Sequence, residues 1–336
     1  MKRSVWAWLR MLAGVGILVV LLWQLGTSAF LDGLRRIDTG TLLAALALGL
    51  LTTVCSAWRW CLVARGLGLR LPLGRAVADY YRALFLNAAL PGGVLGDVHR
   101  AVHHGRNTGA LGRGVSAVVL ERAAGQIALF VVGAVVLIAR PSAALAPIGL
   151  VTAPGVTVLL AAVGCGVLLV TVGWLYWSSR RASRTVRAVR TALAEARRGL
   201  LARGVWPGVA VASVVVLAGY LGTFLLAARV AGSTAPAAEL VPLMVLALLA
   251  MALPLNIGGW GPREGVAAWA FGAAGLGAAQ GLTTAVVYGV LALVASLPGA
   301  GVLVVRWVVV GLRAGRPQIE LEERVLAEPG APQRRP

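Results

Sequence analysis

Three short stretches concentrate the residues able to do chemistry inside otherwise apolar sequence. The first reads Asn87-Ala88-Ala89-Leu90-Pro91-Gly92-Gly93-Val94-Leu95-Gly96-Asp97-Val98-His99-Arg100. Glycines let a backbone turn tightly and approach a ligand, and Pro91 cannot comfortably continue a preceding helix. Asp97 is placed to cap a new helical turn, with Arg100 just inside it. The second stretch reads Pro254-Leu255-Asn256-Ile257-Gly258-Gly259-Trp260-Gly261-Pro262-Arg263-Glu264-Gly265. Pro262 suits the first position of a helix, which leaves Arg263 and Glu264 in its first turn. Each break therefore supplies a helix N-terminus with free N–H groups and a positive dipole end. With Arg100 and Arg263 added, the two ends suit an anionic head group such as phosphate. The third stretch is Glu121-Arg122, inside an apolar run. Burying such charges in a bilayer costs about 2.5–3.5 kcal/mol each, so they are expected to face the bundle interior and find partners. Being adjacent on a helix, they cannot point the same way. Two readings stand for these groups. The acids are caps and ion-pair partners that fix the glycine-rich breaks, or they contact a substrate directly.

Other reactive residue types offer less. His99 and His103 have the i, i+4 spacing of a metal pair, but no acidic or cysteine partner stands nearby in sequence, and a polar surface is the expected reading. Cys55, Cys61 and Cys165 all fall in apolar segments and are odd in number, which suits small packing residues and not a disulfide framework or a metal site. There is no HExxH, P-loop or Asp-x-Asp, so neither a cofactor nor a catalytic set is expected. The chain reads as a non-enzyme, with an intramembrane enzyme such as a lipid phosphatase or glycosyltransferase as a rival reading.

The elements that must position these groups can be read from composition. Of 336 residues, 59% are hydrophobic and only 13% charged, too few to cover a soluble surface of this size. The formal charge of +19 raises nucleic acid as a partner, but the arginines sit beside apolar runs, the positive-inside pattern of membrane proteins, and nucleic acid is rejected. Full spans are expected at 11–30, 41–63, 114–139, 150–177, 205–231 and 280–305, each near the ~20 residues needed to cross. The segment 11–30 exceeds a signal-peptide core and reads as an uncleaved first helix. Segments 77–90, 240–254 and 264–276 are short and end or begin at the two breaks, the mark of discontinuous helices. Residues 180–203, with Arg180, Arg181, Arg184, Arg187, Arg190, Arg197, Arg198 and Arg203, read as a basic amphipathic helix on the cytoplasmic surface. Both termini then fall inside. Arg59, Arg65, Arg70 and Arg75 read as snorkelling orientation signals, and Trp6, Trp8, Trp58, Trp60, Trp174 and Trp177 as an interfacial belt.

The expected fold is all-α and polytopic, about six full spans plus two opposed broken or re-entrant hairpins. It is one transmembrane domain over 1–310, with inverted repeats at about 1–140 and 150–310 joined by an extracytoplasmic loop at 140–149. The tail, 317–336, is expected to be disordered.

Taken together, Asn87…Pro91-Gly92-Gly93…Gly96-Asp97…Arg100, Glu121-Arg122 and Pro254…Gly258-Gly259…Gly261-Pro262-Arg263-Glu264 resemble the membrane region of lysylphosphatidylglycerol synthases and flippases. The resemblance covers roughly 10–310; the 30 residues after Arg306 leave no room for the aminoacyl-transferase domain that some members carry. It implies movement of a phospholipid or polyprenyl-phosphate-linked head group between leaflets of a bacterial inner membrane. The implied site is Asn87, Pro91, Gly92, Gly93, Gly96, Asp97, Arg100, Glu121, Arg122, Asn256, Gly258, Gly259, Gly261, Arg263 and Glu264. Rival readings are an ion-coupled transporter of a small solute, or a non-transporting partner of an envelope enzyme. The 43 glycines allow close helix packing, within one chain or in a homo-oligomer.

Overall fold

The computed structural model describes residues 35–89, 95–107, 109–139, 194–252, 261–305 and 307. The expected spans 11–30 and 150–177, most of the basic linker, the tail, and Pro91, Gly92, Gly93, Asn256, Gly258 and Gly259 lie outside the described residues. The described chain is all helix and turn, with no strand among those residues. The helices are α1 (Thr39–Gly66), α2 (Leu73–Ala89), α3 (Leu95–Asn107), α4 (Leu111–Ala139), α5 (Trp206–Val230), α6 (Ala237–Met251), α7 (Pro262–Ala273) and α8 (Ala278–Ser296, its course continuing to Val305). α1, α4, α5 and α8 are long and apolar enough to cross a bilayer, and α6 is a shorter apolar helix. Among the described residues, α1 to α4 run long, short, short, long, and α5 to α8 follow the same order of lengths.

α1 starts where Asp38 accepts the Thr41 N–H at 2.8 Å, so its first turn is capped. At this end Arg36 Nη1 and Gln280 Nε2 both donate to the Ala231 carbonyl, at 3.0 and 2.9 Å, tying the starts of α1 and α8 to the end of α5. The opposite end is basic. Gly66, at the end of α1, abuts the backbone of Arg198 and Gly199, so the linker's last turns dock beside Arg65. Only 194–200 of the basic linker's described part is helical; 201–205 turn into α5, short of the expected helix to 203.

The largest apolar core gathers α5, α6, α7 and α8 around Phe224, Leu240, Met244, Phe271 and Leu291, all fully buried. A second core joins α1, α2, α3 and α4 around Trp60, Tyr80 and Ala117. Outward faces such as Ile127, Val131 and Val135 of α4 stay exposed, as lipid-facing positions do.

Candidate functional site

The second core holds a group of charges. Glu121 of α4 is fully buried. Its Oε1 accepts from Arg59 Nη2 at 2.6 Å and Nε at 3.1 Å, and from the Tyr80 hydroxyl at 3.3 Å. Its Oε2 accepts from Arg100 Nη2 at 2.9 Å. Arg59 also donates to Ser213 Oγ on α5 at 3.0 Å. Gly125, one turn beyond Glu121, makes room for this: a Cβ there would come within 3.1 Å of Arg59 Nη2.

Asp97 of α3 links the group to the first break. Its carboxylate pairs with Arg100 Nη2 at 3.1 Å and with Arg122 Nη2 at 2.7 Å, and accepts from Asn87 Nδ2 at 3.0 Å. Asn87 Oδ1 in turn accepts the Gly96 N–H at 2.8 Å. The expectation that Asp97 caps the helix is corrected here. Asp97 lies inside the first turn, and Asn87, reaching across from the end of α2, takes the orphan N–H. Arg100 is sandwiched between the Trp60 and Tyr80 rings, 4.5 and 4.4 Å from their centroids, a cation–π arrangement that seals it from solvent. Its Nε and Nη1 have no hydrogen-bond partner among the described residues.

The cluster thus unites Arg59, Arg100 and Arg122 with Asp97 and Glu121, three cations to two carboxylates, a net charge of +1. Of the three, Arg122 alone keeps an accessible side chain, 39% of it. The Oε1 of Gln126, one turn on, is buried without a partner among the described residues, as is Arg122 Nε.

The second break builds a separate pair. Gly261 holds φ +116°, a conformation only glycine adopts easily, and Pro262 opens α7. Glu264 Oε2 accepts the Gly261 N–H at 2.6 Å, and its Oε1 accepts from Arg263 Nε at 2.9 Å. Arg263 lies over Tyr288 of α8, 4.9 Å from the ring centroid. This pair is buried, neutral and sealed. Glu121 lies about 15 Å along α4 from Leu111, and Tyr288 about 15 Å along α8 from Ala278. Those starts lie toward opposite ends of the bundle, so each cluster sits about 15 Å in from its own end.

The structure brings Asn87, Gly96, Asp97, Arg100, Glu121 and Arg122 together, and Gly261, Arg263 and Glu264 in a second cluster. Two further expectations are overturned. Arg59 does not snorkel; it is 4% exposed and is the closest partner of Glu121. Trp60 is fully buried against Arg100 and His104 (ring centroids 5.3 Å apart), not in an interfacial belt, whereas Trp58 remains partly exposed. Sequence reasoning missed Arg59, Trp60 and Tyr80 as members of the site. His99 and His103 stack, ring centroids 6.0 Å apart and nearly parallel, and no metal-binding group of three occurs among the described residues.

A family model described as the lysylphosphatidylglycerol synthase TM region matches residues 7–299. No curated protein matches the chain.

Proposed function

The chain belongs to the lysylphosphatidylglycerol synthase TM-region family, and on that premise we propose that it carries an anionic lipid, or a polyprenyl-phosphate-linked head group, between leaflets. The observation that carries this reading is the unbalanced +1 cluster with one accessible arginine. An uncompensated cation within the bundle is costly, and an anion that reaches Arg122 relieves that cost. In the proposed cycle the phosphate replaces Asp97 on Arg122. Asp97 stays held by Asn87 and Arg100 and returns when the head group leaves. Arg59, Tyr80, Trp60 and Glu121 keep Arg100 fixed, so Arg100 positions Asp97 and does not bind the head group itself. That revises the simplest expectation, in which Arg100 and Arg263 hold the phosphate together. Gln126 offers a second polar contact one turn along α4.

The two breaks, in this reading, belong to inverted repeats that rock about the midplane and expose Arg122 to one leaflet at a time. The Arg263–Glu264 pair is the counterpart in the second half. Asp97, Glu121 or Glu264 carries any coupled proton. The basic rim with Arg65, Arg70, Arg75 and Arg198 faces the cytoplasm of a bacterial cell, with both termini inside. The membrane domain does no covalent chemistry.

The test is leaflet transfer of head-group-labelled phosphatidylglycerol in liposomes containing the purified chain. Arg122→Ala slows it about tenfold or more, the loss of one charge-assisted contact to the head group, and Asp97→Asn slows it because no carboxylate then returns to Arg122 to release the head group. A folded Arg122→Ala protein that transfers at the wild-type rate rules the mechanism out. A second reading, a non-transporting partner of an envelope enzyme, draws on the sealed state of Arg100 and Arg263. It is favoured if wild type transfers no anionic lipid at all.

A further inference from the structure

A cavity of about 600 Å³ opens at the basic rim between α2, α3 and the end of α8, away from the Glu121 cluster. Its origin lies in two glycines of α8. At Gly299 the helix is pressed on α2, and a Cβ would overlap the Tyr81 carbonyl and crowd Phe85. At Gly301 a Cβ would meet nothing within 4 Å. α8 is thus pinned to α2 at one point and leaves it just beyond, and the gap is the cavity.

The walls differ in chemistry. Arg75 and Arg82 of α2 and His103 of α3 form one side, with Asp79, which accepts from Arg82 Nη2 at 2.9 Å. Arg82 is thus paired with Asp79 on this wall, and Arg75 lines the same wall. The other side is Pro298, Val302 and Val305. Val305 and its neighbour Val304 are about 60% exposed, on a helix long and apolar enough to span the bilayer, so the apolar side faces lipid tails. The volume suits a small ligand, since binding cavities run from about 300 to 1,000 Å³. A free phosphate would use only the basic wall. A phospholipid uses both, head group on arginine and chains along α8.

We propose that this cavity is a second lipid site, which holds the head group of an anionic phospholipid at the rim, separate from the transfer site. The inference requires only that the chain is a membrane protein and stands whether or not it moves lipid. A resident lipid there braces α2 against the end of α8, and α2 carries both Asn87 and Tyr80 of the central cluster.

The experiment is photolabelling of the full-length chain in phosphatidylcholine nanodiscs with a diazirine-bearing phosphatidylglycerol, read by peptide mapping. Label is expected on 298–305 in wild type. Because a Cβ at Gly301 meets nothing within 4 Å, Gly301→Trp is expected to occupy the cavity and abolish that label and Gly301→Leu to reduce it, so a misfolded Trp variant does not decide the matter. Arg75→Ala lowers labelling about fivefold, the share of one surface arginine in holding an anionic lipid. Excess inorganic phosphate leaves the label in place. Equal labelling by a phosphatidylcholine probe of the same chains, full labelling in the folded Gly301→Trp protein, or displacement by inorganic phosphate each overturns the proposal. None of these readouts depends on transfer, so a failed flipping assay leaves the inference standing and the reverse also holds.

Discussion

Replacing Glu121 by Gln removes one negative charge and little volume, and the two buried arginines around it set the cost. Glu121 accepts hydrogen bonds from Arg59 and Arg100, both within a few per cent of full burial. The five-member cluster goes from +1 to +2, and Gln turns an N–H toward guanidinium groups that are themselves donors. Hydrogen bonds to charged groups contribute about 1.5–3 kcal/mol each, and removal of one partner of a buried ion pair costs about 3–5 kcal/mol in total. The second figure already contains the first, so Glu121→Gln is expected to destabilise by about 3–5 kcal/mol. Arg59→Met alone costs a similar amount for the mirror reason, although Glu121 keeps Arg100 as partner. The double variant Arg59→Met, Glu121→Gln returns the cluster to +1 and recovers part of the loss, because neither charge of that pair is left buried without its partner. The assay is a double-mutant cycle on unfolding in bicelles, which isolates the pairwise coupling. A Glu121→Gln protein within about 1 kcal/mol of wild type, or a cycle with no coupling, refutes the reasoning.

Four further outcomes are expected. Arg100→Ala destabilises strongly, because it leaves Glu121 Oε2 and the stacked Trp60 and Tyr80 rings without their cation while Arg59 still holds Oε1, whereas Arg122→Ala costs little stability and acts on transfer; the pair is separated by comparing thermal unfolding with transport. Gly281→Leu drives a side chain into the Ala267 carbonyl and costs about 1–3 kcal/mol or more, whereas Gly74→Ala, with nothing within 4 Å, gains about 0.4–1 kcal/mol; both are read by unfolding. Glu264→Gln frays the start of α7 by releasing Gly261 N–H and Arg263, seen as faster hydrogen exchange at 261–266. Asp38 sits below the usual carboxylate value because its side chain accepts from Thr41, so its cap is present at neutral pH and is lost as pH falls below about 4; exchange at 39–42 reports it.

Much of this fold could be read from hydropathy. The spans expected at 41–63, 114–139, 205–231 and 280–305 appear as Thr39–Gly66, Leu111–Ala139, Trp206–Val230 and Ala278–Val305, because span length is set by the bilayer and not by tertiary contacts. Pro262 marked the start of α7 for a reason local to the backbone. The charged cluster was half legible. Asp97, Arg100, Glu121 and Arg122 stood out as charges in apolar sequence. Arg59 did not, because Arg65, Arg70 and Arg75 come after it and the series resembles an orientation signal. Its partner is 62 residues away, a pairing no local pattern encodes. The usable clue was depth: Arg59 lies about 10 Å inside the end of α1, too far for easy snorkelling without a break in packing. The reversal of Asn87 and Asp97 as cap has the same origin, since the acceptor comes from a different helix.

The most direct test of the central claim compares head groups on identical acyl chains in the same liposomes: phosphatidylglycerol, phosphatidic acid and phosphatidylcholine. An anion-selective site at Arg122 predicts that the wild-type chain accelerates leaflet transfer of the two anionic lipids and not of the zwitterion. It also predicts that Arg122→Ala erases the difference. Equal acceleration of all three lipids, or selectivity that survives Arg122→Ala, contradicts it.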